Sequence, residues 1–550
     1  MSASSKKKLR KEQQAAQLTE KQLKEQAESK KLKTYSVIFI VAIVAIAITA
    51  IAVFGVTTIN RTGLIEKNTV AATIDGEKLN SVEMNYYFVD AVNKTYREWS
   101  SMYGDSVNMF ASMMGLNVNQ PLDQQVYNEE DGSTWADYFY EVALEQAKSD
   151  IALCNMAEAE GFELPEEEKA NLEASMNQVH AYMTMAGYAD LDDFYRTTYG
   201  NGADVDSYWE YALNSALAAA YYNAYADALT YENDEIRAFE AENYDRYTSY
   251  TYASYYVSYN SYLEGGTTNE DGTITYSDAE KDAARAKAKE VADHLAATGG
   301  VDALDSAIAA LPVNADVENA ASSKYEDYLY SYVSSSVIDW LSDDARKEGD
   351  MVALENAVTT TDEDGNETTS VNGYHVVVFQ GSNENLRPLA NVRHLLVNFE
   401  SDDGTTNYTD EDKAEAYAKA EAILNEWKAG EATEESFIAL VKEKSEDAGS
   451  ASTGGLFEDV TPQKGIYVEA FTDWAVDENR VAGETGIIET EYGCHIMYYV
   501  GDDELTYRDY MIISEMKQQD VLAWYDEVVA KVSVTEGNTS KLLTDMVLAA

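Results

Sequence analysis

The feature that most constrains how this chain folds is an internal repeat. Asp339, Trp340, Asp343, Arg346, Gly349 and Asp350 spell DWxxDxxRxxGD. Asp473, Trp474, Asp477, Arg480, Gly483 and Glu484 spell DWxxDxxRxxGE, 134 residues later. Ahead of each copy lies a predicted helix with the same apolar stripe: Ala284, Ala288, Val291, Ala292 and Leu295, then Ala416, Ala420, Ile423, Leu424 and Trp427. Behind each lies a Gly-x-His strand, Gly373-Tyr374-His375 and Gly493-Cys494-His495. So many landmarks in one order imply two copies of one α+β module, at 246–382 and 388–503. Each opens on a predicted strand: residues 249–262, nearly alternating Tyr and Ser, and residues 390–399, NVRHLLVNFE.

The chain ahead of the repeat reads differently. Residues 70–76, VAATIDG, give a short strand and a turn, and Asn80 with Glu83 has capping-box spacing for a helix start. Helical patterns then run to about residue 245; one, Trp135 to Glu160, is closed by Gly161 before Pro165 opens the next. Residues 65–245 are therefore expected to form a mostly helical domain. Residues 505–550 are expected to be a helical segment, from about Tyr507 to Val532, that packs back to complete it, since a lone amphipathic helix is marginal.

Residues 1–33 are basic and polar, and Val37 to Val56 are 20 residues without a charge. At about 1.5 Å per helical residue, that run spans a bilayer core of about 30 Å. A cleavable signal peptide has a shorter apolar region. The expectation is a cytoplasmic basic tail (1–33), a single-pass signal anchor (34–57) and an extracytoplasmic bulk, in line with the positive-inside rule. The tail also has the charge to meet anionic headgroups. The formal net charge of −58 argues against a nucleic-acid partner, which needs a basic footprint. Cys154 and Cys494 are too few for a disulfide framework. Walker loops, GxSxG and CxxC pairs are absent from the sequence, so nucleotide hydrolysis, serine hydrolysis and zinc ribbons have no support.

The second module resembles the parvulin family of peptidyl-prolyl isomerases. The resemblance rests on RHLLV, SFIALVKEKSEDAGSASTGG, YVEAFTDWAV and GETGIIETEYGCHIMYYV, in that order over about 115 residues. The whole layout is similar to PrsA- and SurA-like foldases: a helical chaperone part, parvulin modules and a returning C-terminal helix. The resemblance implies catalytic positions at His394 and His495, side by side on the central strands, with Asp447 as their acidic neighbour and Thr490 bonding one histidine. It implies a proline-holding wall of Leu395, Tyr467 and Phe471. Three features depart from the family pattern: Tyr467 stands where Met is usual, GGLFE at 454–458 replaces the common GGDLG, and SEDAGSAS is one residue longer.

The chemistry fits such residues without a cofactor or metal. Rotation about a prolyl bond meets a barrier of ~18–20 kcal/mol and takes tens of seconds or more unaided. No covalent bond need form, so Asp447 is not required as a nucleophile. The twisted amide loses charge separation, so a dry, apolar socket favours it over the planar state. Two stacked histidines and Thr490 can form a neutral hydrogen-bonded chain.

The first module lacks a histidine in its opening strand, and Val333 and Val337 replace Tyr467 and Phe471. His375 is then structural, and the module reads as a degenerate copy kept for binding or spacing. His294 reads as a surface residue, and His180 lies on a predicted helix. The function expected is a membrane-tethered isomerase and chaperone for exported chains; the alternative is a tethered holdase whose modules are scaffolds. Expected partners are unfolded or partly folded polypeptides, the membrane through one helix, and a second copy of the chain as a homodimer.

Overall fold

A computed structural model describes residues 62–361, 367–400, 408–463 and 465–545. The expected tail (1–33) and anchor (34–57) lie outside the described residues. Among the described residues no helix is long and apolar enough to cross a membrane. The architecture is mixed α and β, and the described residues divide into two units: those up to Thr230 together with those from Lys517 onward, and those within Tyr231–Met516. The division falls ahead of residue 245, the expected end of the helical domain.

In the first unit, strands β1 (Val70–Ile74) and β2 (Glu77–Asn80) form a hairpin. Its turn residues Asp75 and Gly76 have φ of 48° and 85°, the left-handed pair that matches strand twist. The other edge of β1 is covered by Val534–Glu536, with Ala72 opposite Glu536. The segment 505–550, expected to be helical from about Tyr507 to Val532, thus carries a strand just beyond that helix. Its β-branched run VSVTE satisfies backbone groups that β1 would otherwise leave open. Asn80 then caps helix α1 (Ser81–Tyr103), accepting the amides of Val82 and Glu83 at 2.9 and 3.2 Å, while Glu83 accepts the Asn80 amide at 2.7 Å. Helices α2 (Val107–Met113), α3 (Trp135–Glu160), α4 (Glu166–Ala186), α5 (Leu191–Tyr199) and α6 (Val205–Ala228) follow. Much of their core is tyrosine. Tyr86, Tyr195, Tyr199, Tyr208 and Tyr211 pack ring against ring, and Asp90 among them accepts the Tyr211 and Tyr199 hydroxyls at 2.9 and 3.4 Å. The rings bury area while their hydroxyls find partners. Trp524 of the C-terminal helix stacks on Tyr225 with centroids 3.8 Å apart.

The second unit begins with α7 (Asn233–Glu242) and contains the two modules. The first comprises β3 (Ser249–Ser258), α8 (Asp278–Ala296), β4 (Ser323–Leu329), α9 (Ser335–Leu341), β5 (Met351–Thr361) and β6 (Glu367–Asn383). The strand expected over 249–262 stops at Ser258, because its hydroxyl accepts the Asn260 amide at 3.2 Å and turns the chain into a short 3₁₀ segment. The second comprises β7 (Pro388–Asn398), α10 (Asp410–Ala429), α11 (Glu434–Lys444), β8 (Leu456–Val460), α12 (Glu469–Ala475), β9 (Thr485–Glu489) and β10 (Gly493–Thr506). Each module holds a four-stranded antiparallel sheet, ordered β4-β3-β6-β5 and β8-β7-β10-β9. In both, the order along the chain is second, first, fourth, third. The predicted helical stripes are buried in both modules, with Val291 only partly so.

The repeated DW motif is a structural clasp. Arg346 lies 4.6 Å over the Trp340 ring and Arg480 4.2 Å over Trp474. Each arginine pairs with the motif's aspartate, Asp343 at 2.8 Å and Asp477 at 3.5 Å. The motif glycines donate their amides to the last strand of each sheet, Gly349 to Phe379 and Gly483 to Tyr499, both at 2.8 Å.

Candidate active site

Side chains alternate along a strand, so neighbours on β7 face opposite ways. His394 and Leu396 share one face. Met497 of β10 stands opposite His394, and His495 opposite Leu396. The two histidines are therefore diagonal neighbours on one face of the central strand pair. Their rings stack with centroids 5.0 Å apart and planes 18° apart, and their Nδ1 atoms are 2.8 Å apart.

A hydrogen-bonded chain results. His394 Nε2 lies 3.0 Å from Asp447 Oδ2 and 3.0 Å from Ser450 Oγ, and the Ser450 hydroxyl donates to Asp447. His495 Nε2 lies 2.8 Å from Thr490 Oγ1, which itself accepts the Tyr492 amide at 3.2 Å. These contacts set the tautomers. With its hydroxyl proton committed to Asp447, Ser450 can only accept, so His394 Nε2 faces two acceptors and carries the proton. His394 Nδ1 then accepts from His495 Nδ1–H, and His495 Nε2 accepts the Thr490 hydroxyl. The whole chain is satisfied with both imidazoles neutral. Burial pushes His495 down to about 4, helped by the neighbouring His394. Burial also lowers His394, against the pull of Asp447. Burial opposes ionisation of Asp447, but the Ser450 hydroxyl, the Gly449 amide and His394 outweigh it and hold the carboxyl below its usual range.

Above the pair stand three aromatic rings. Phe471 is buried, and Phe457 and Tyr467 flank it half-buried, with centroids 5.3 to 5.6 Å apart. Phe457 and Phe471 meet the His394 ring at 5.1 and 5.7 Å, both edge to face. Met497 belongs to the same apolar cluster.

Of the residues expected at the site, His394, Asp447, Thr490, His495, Tyr467 and Phe471 come together. Leu395 does not. It is fully buried on the opposite face of β7, in the cluster that includes Trp427 and Phe437. Strand parity forbids a residue next to His394 from sharing its face. The same parity would have picked out Met497, two residues after His495. Phe457 and Ser450 were also missed. Phe457 lies on β8 opposite Val392, and Ser450 is in reach of His394 only through the loop after α11.

That loop depends on Gly455. Its φ is +68°, and a Cβ there would lie 2.1 Å from the His394 carbonyl oxygen. Glycine lets the loop approach closely enough for His394 N–H to donate to Gly455 O at 2.9 Å. Arg393, on the far face, holds the same loop through the Thr453 and Gly454 carbonyls and pairs with Glu434 at 2.8 Å.

In the first module His375 faces Tyr256 across the strands, with rings 4.9 Å apart, and Ser254 occupies the register of His394. Val333 and Val337 pack into an apolar cluster with Tyr250 and Tyr252. His180 lies 3.4 Å from the Tyr195 hydroxyl, and His294 sits in the last turn of α8. Cys154 and Cys494 are both free thiols.

Residues 394–501 match the Rotamase family, a PPIC-type PPIASE domain. No curated protein matches the chain. Among solved structures it is similar to the peptidylprolyl isomerase PrsA of Bacillus cereus, at 24% identity over 27% of this chain and 50% of that one, with a TM-score of 0.18. PrsA of Bacillus subtilis is 26% identical over 27% of this chain and 50% of that one, with a TM-score of 0.18. PrsA of Bacillus anthracis is 17% identical over 27% and 59%, with a TM-score of 0.17. The matched part thus spans 50% of the length of the first of these proteins.

Proposed function

We propose that the protein is a parvulin-type peptidyl-prolyl cis/trans isomerase and a chaperone for exported polypeptides, anchored by residues 34–57 with its bulk outside the cytoplasmic membrane. One observation carries the catalytic part: an aromatic triangle of Phe457, Tyr467 and Phe471 stands on a buried, neutral histidine pair within a PPIC-type domain. On this reading a proline ring packs on the half-buried rings of Phe457 and Tyr467, with Phe471 behind them. The imide then leaves water for a site whose nearest polar groups are held in fixed orientations. The planar imide has more charge separation than the twisted one, so this exchange of solvent lowers the barrier. His394 and His495 support the socket and fix its polarity, and no proton need pass to the substrate. Asp447, ionised at the rim, sets the field at the imide carbonyl.

The two sheets with one strand order support reading residues 246–382 as a degenerate copy of the catalytic module. Without a second histidine it serves binding or spacing. The 20-residue uncharged run and the basic tail support the anchor. Unfolded exported chains are the expected clients.

The test is prolyl isomerisation of a proline-containing peptide by the full chain beside Phe471→Ala, Phe457→Ala and His495→Ala. Catalysis by wild type, with kcat/KM down at least about 10-fold in folded variants, supports the assignment; that corresponds to about 1.4 kcal/mol of transition-state binding. A wild-type rate at background would leave a non-catalytic holdase. Recovery of a soluble chain beginning near residue 60 would remove the anchor.

A further inference from the structure

The first unit exposes an unusual surface where α1 ends and α2 begins. Met102, Met109, Met113 and Met114 are 66, 70, 80 and 49% exposed. Met109 and Met113 are one helical turn apart on α2, opposite the buried Val107 and Ala111. The same segment carries a row of rings: Tyr103 stacks on Phe110 at 4.0 Å, Phe110 meets Trp99 at 5.3 Å, Trp99 meets Trp135 at 6.2 Å, and Trp135 meets Tyr127 at 4.8 Å. The two end rings, Tyr103 and Tyr127, are exposed.

The segment that carries this surface is acidic. Residues 98–147 contain nine carboxylates and no lysine, arginine or histidine. Every one of the nine is exposed, including Glu98, Asp105, Glu129 and Glu130. Exposed methionine adapts its shape to varied apolar partners, and an exposed apolar patch with a polar rim marks an interaction site. A rim of a single sign selects partners of the other sign.

We propose that this face docks segments of non-native polypeptide that combine apolar residues with lysine or arginine. The apolar residues lie on the methionines and the cations meet the carboxylate rim. An anionic membrane surface is disfavoured there, because carboxylates outnumber cations along this segment. The assignment rests on the chaperone reading and gives that reading a location and a client chemistry.

The test uses the full chain in detergent and two labelled, proline-free peptides of equal apolar content, one bearing Lys/Arg and one Asp/Glu. Proline is omitted so that the isomerase socket is not engaged. The expected result is at least 10-fold tighter binding of the basic peptide, weakened by salt. It should fall at least 5-fold in Met109→Ser/Met113→Ser and in Glu129→Lys/Glu130→Lys, both with unchanged isomerisation. Equal affinity for the two peptides would overturn the proposal. So would methionine-dependent binding to anionic vesicles, or a methionine-dependent dimer that blocks the peptide. Suppression of client aggregation by wild type and variants alike would reject this surface and keep the chaperone reading. No suppression by wild type would reject both.

Discussion

At the scale of single residues, the histidine pair makes the site sensitive to acid. His495 titrates near 4 in the folded chain because it is buried, against about 6.5 when unfolded. A depressed base leaves stability complete above the unfolded value and removes it as pH falls toward the folded one. Between pH 6.5 and 4 the unfolded chain takes up a proton that the folded site refuses. At about 1.4 kcal/mol per unit, the loss is on the order of 3 kcal/mol by pH 4. Asp447, held low, adds its own loss only in stronger acid. Thermal melts between pH 7.5 and 4.5 should therefore fall more steeply for wild type than for His495→Asn. Parallel curves would mean that His495 is not held neutral. The parvulin resemblance supplied His394, His495, Asp447 and Thr490 as positions along the chain, and the structure decided that Asp447 pairs with His394 and Thr490 with His495. Leu395 was misplaced because a resemblance gives position along the chain, whereas the face is set by the pleat.

At the scale of elements, each strand is useful for what it lets approach. β7 presents His394 to the site while its backbone meets the loop at Gly455. Gly455→Ala would place a methyl 2.1 Å from the His394 carbonyl at a φ of +68°. Left-handed strain costs about 1–3 kcal/mol, and relieving the clash must also part β7 from β8. We expect a loss of more than about 2 kcal/mol in urea unfolding, with isomerisation falling further than stability alone explains, since Phe457 rides on β8. Full stability and rate in the Gly455→Ala variant would show that the close approach is dispensable. The helix from Trp135 to Glu160 and the Asn80 cap were legible because local hydrogen bonds decide them. The strand Val534–Glu536 was not, because its partner β1 lies more than 450 residues away in sequence.

At the scale of the whole molecule, the second unit is tied together at Arg508, a fully buried side chain. It pairs with Glu240 of α7, donates to the carbonyls of Tyr244 at 2.6 Å and Glu384 at 3.3 Å, and lies 4.4 Å over the Tyr244 ring. It thus joins α7, the start of the first module and the link between modules. Removing one partner of a buried pair costs about 3–5 kcal/mol, whereas replacing both with apolar groups of similar volume can be neutral. Glu240 keeps Arg237 as a second partner, so Arg508→Ala should lower the unfolding free energy of this unit by less than that, about 2–3 kcal/mol from the lost contacts to Glu240 and the Tyr244 and Glu384 carbonyls. Urea unfolding unchanged in Arg508→Ala would show that this buried side chain does not tie the unit together.

The sequence by itself determined the repeat with its DW motif and its two helical stripes, which are recorded in local spacing, and spacing follows from the helical and pleated periods; the residues of the histidine site came with the parvulin resemblance. Tertiary structure alone decided which face each strand residue shows, that Phe457, Ser450 and Met497 join the site, and which strand closes the first sheet. Those depend on registers between distant segments, and a register is fixed by packing and backbone pairing across the fold rather than by any neighbouring residue.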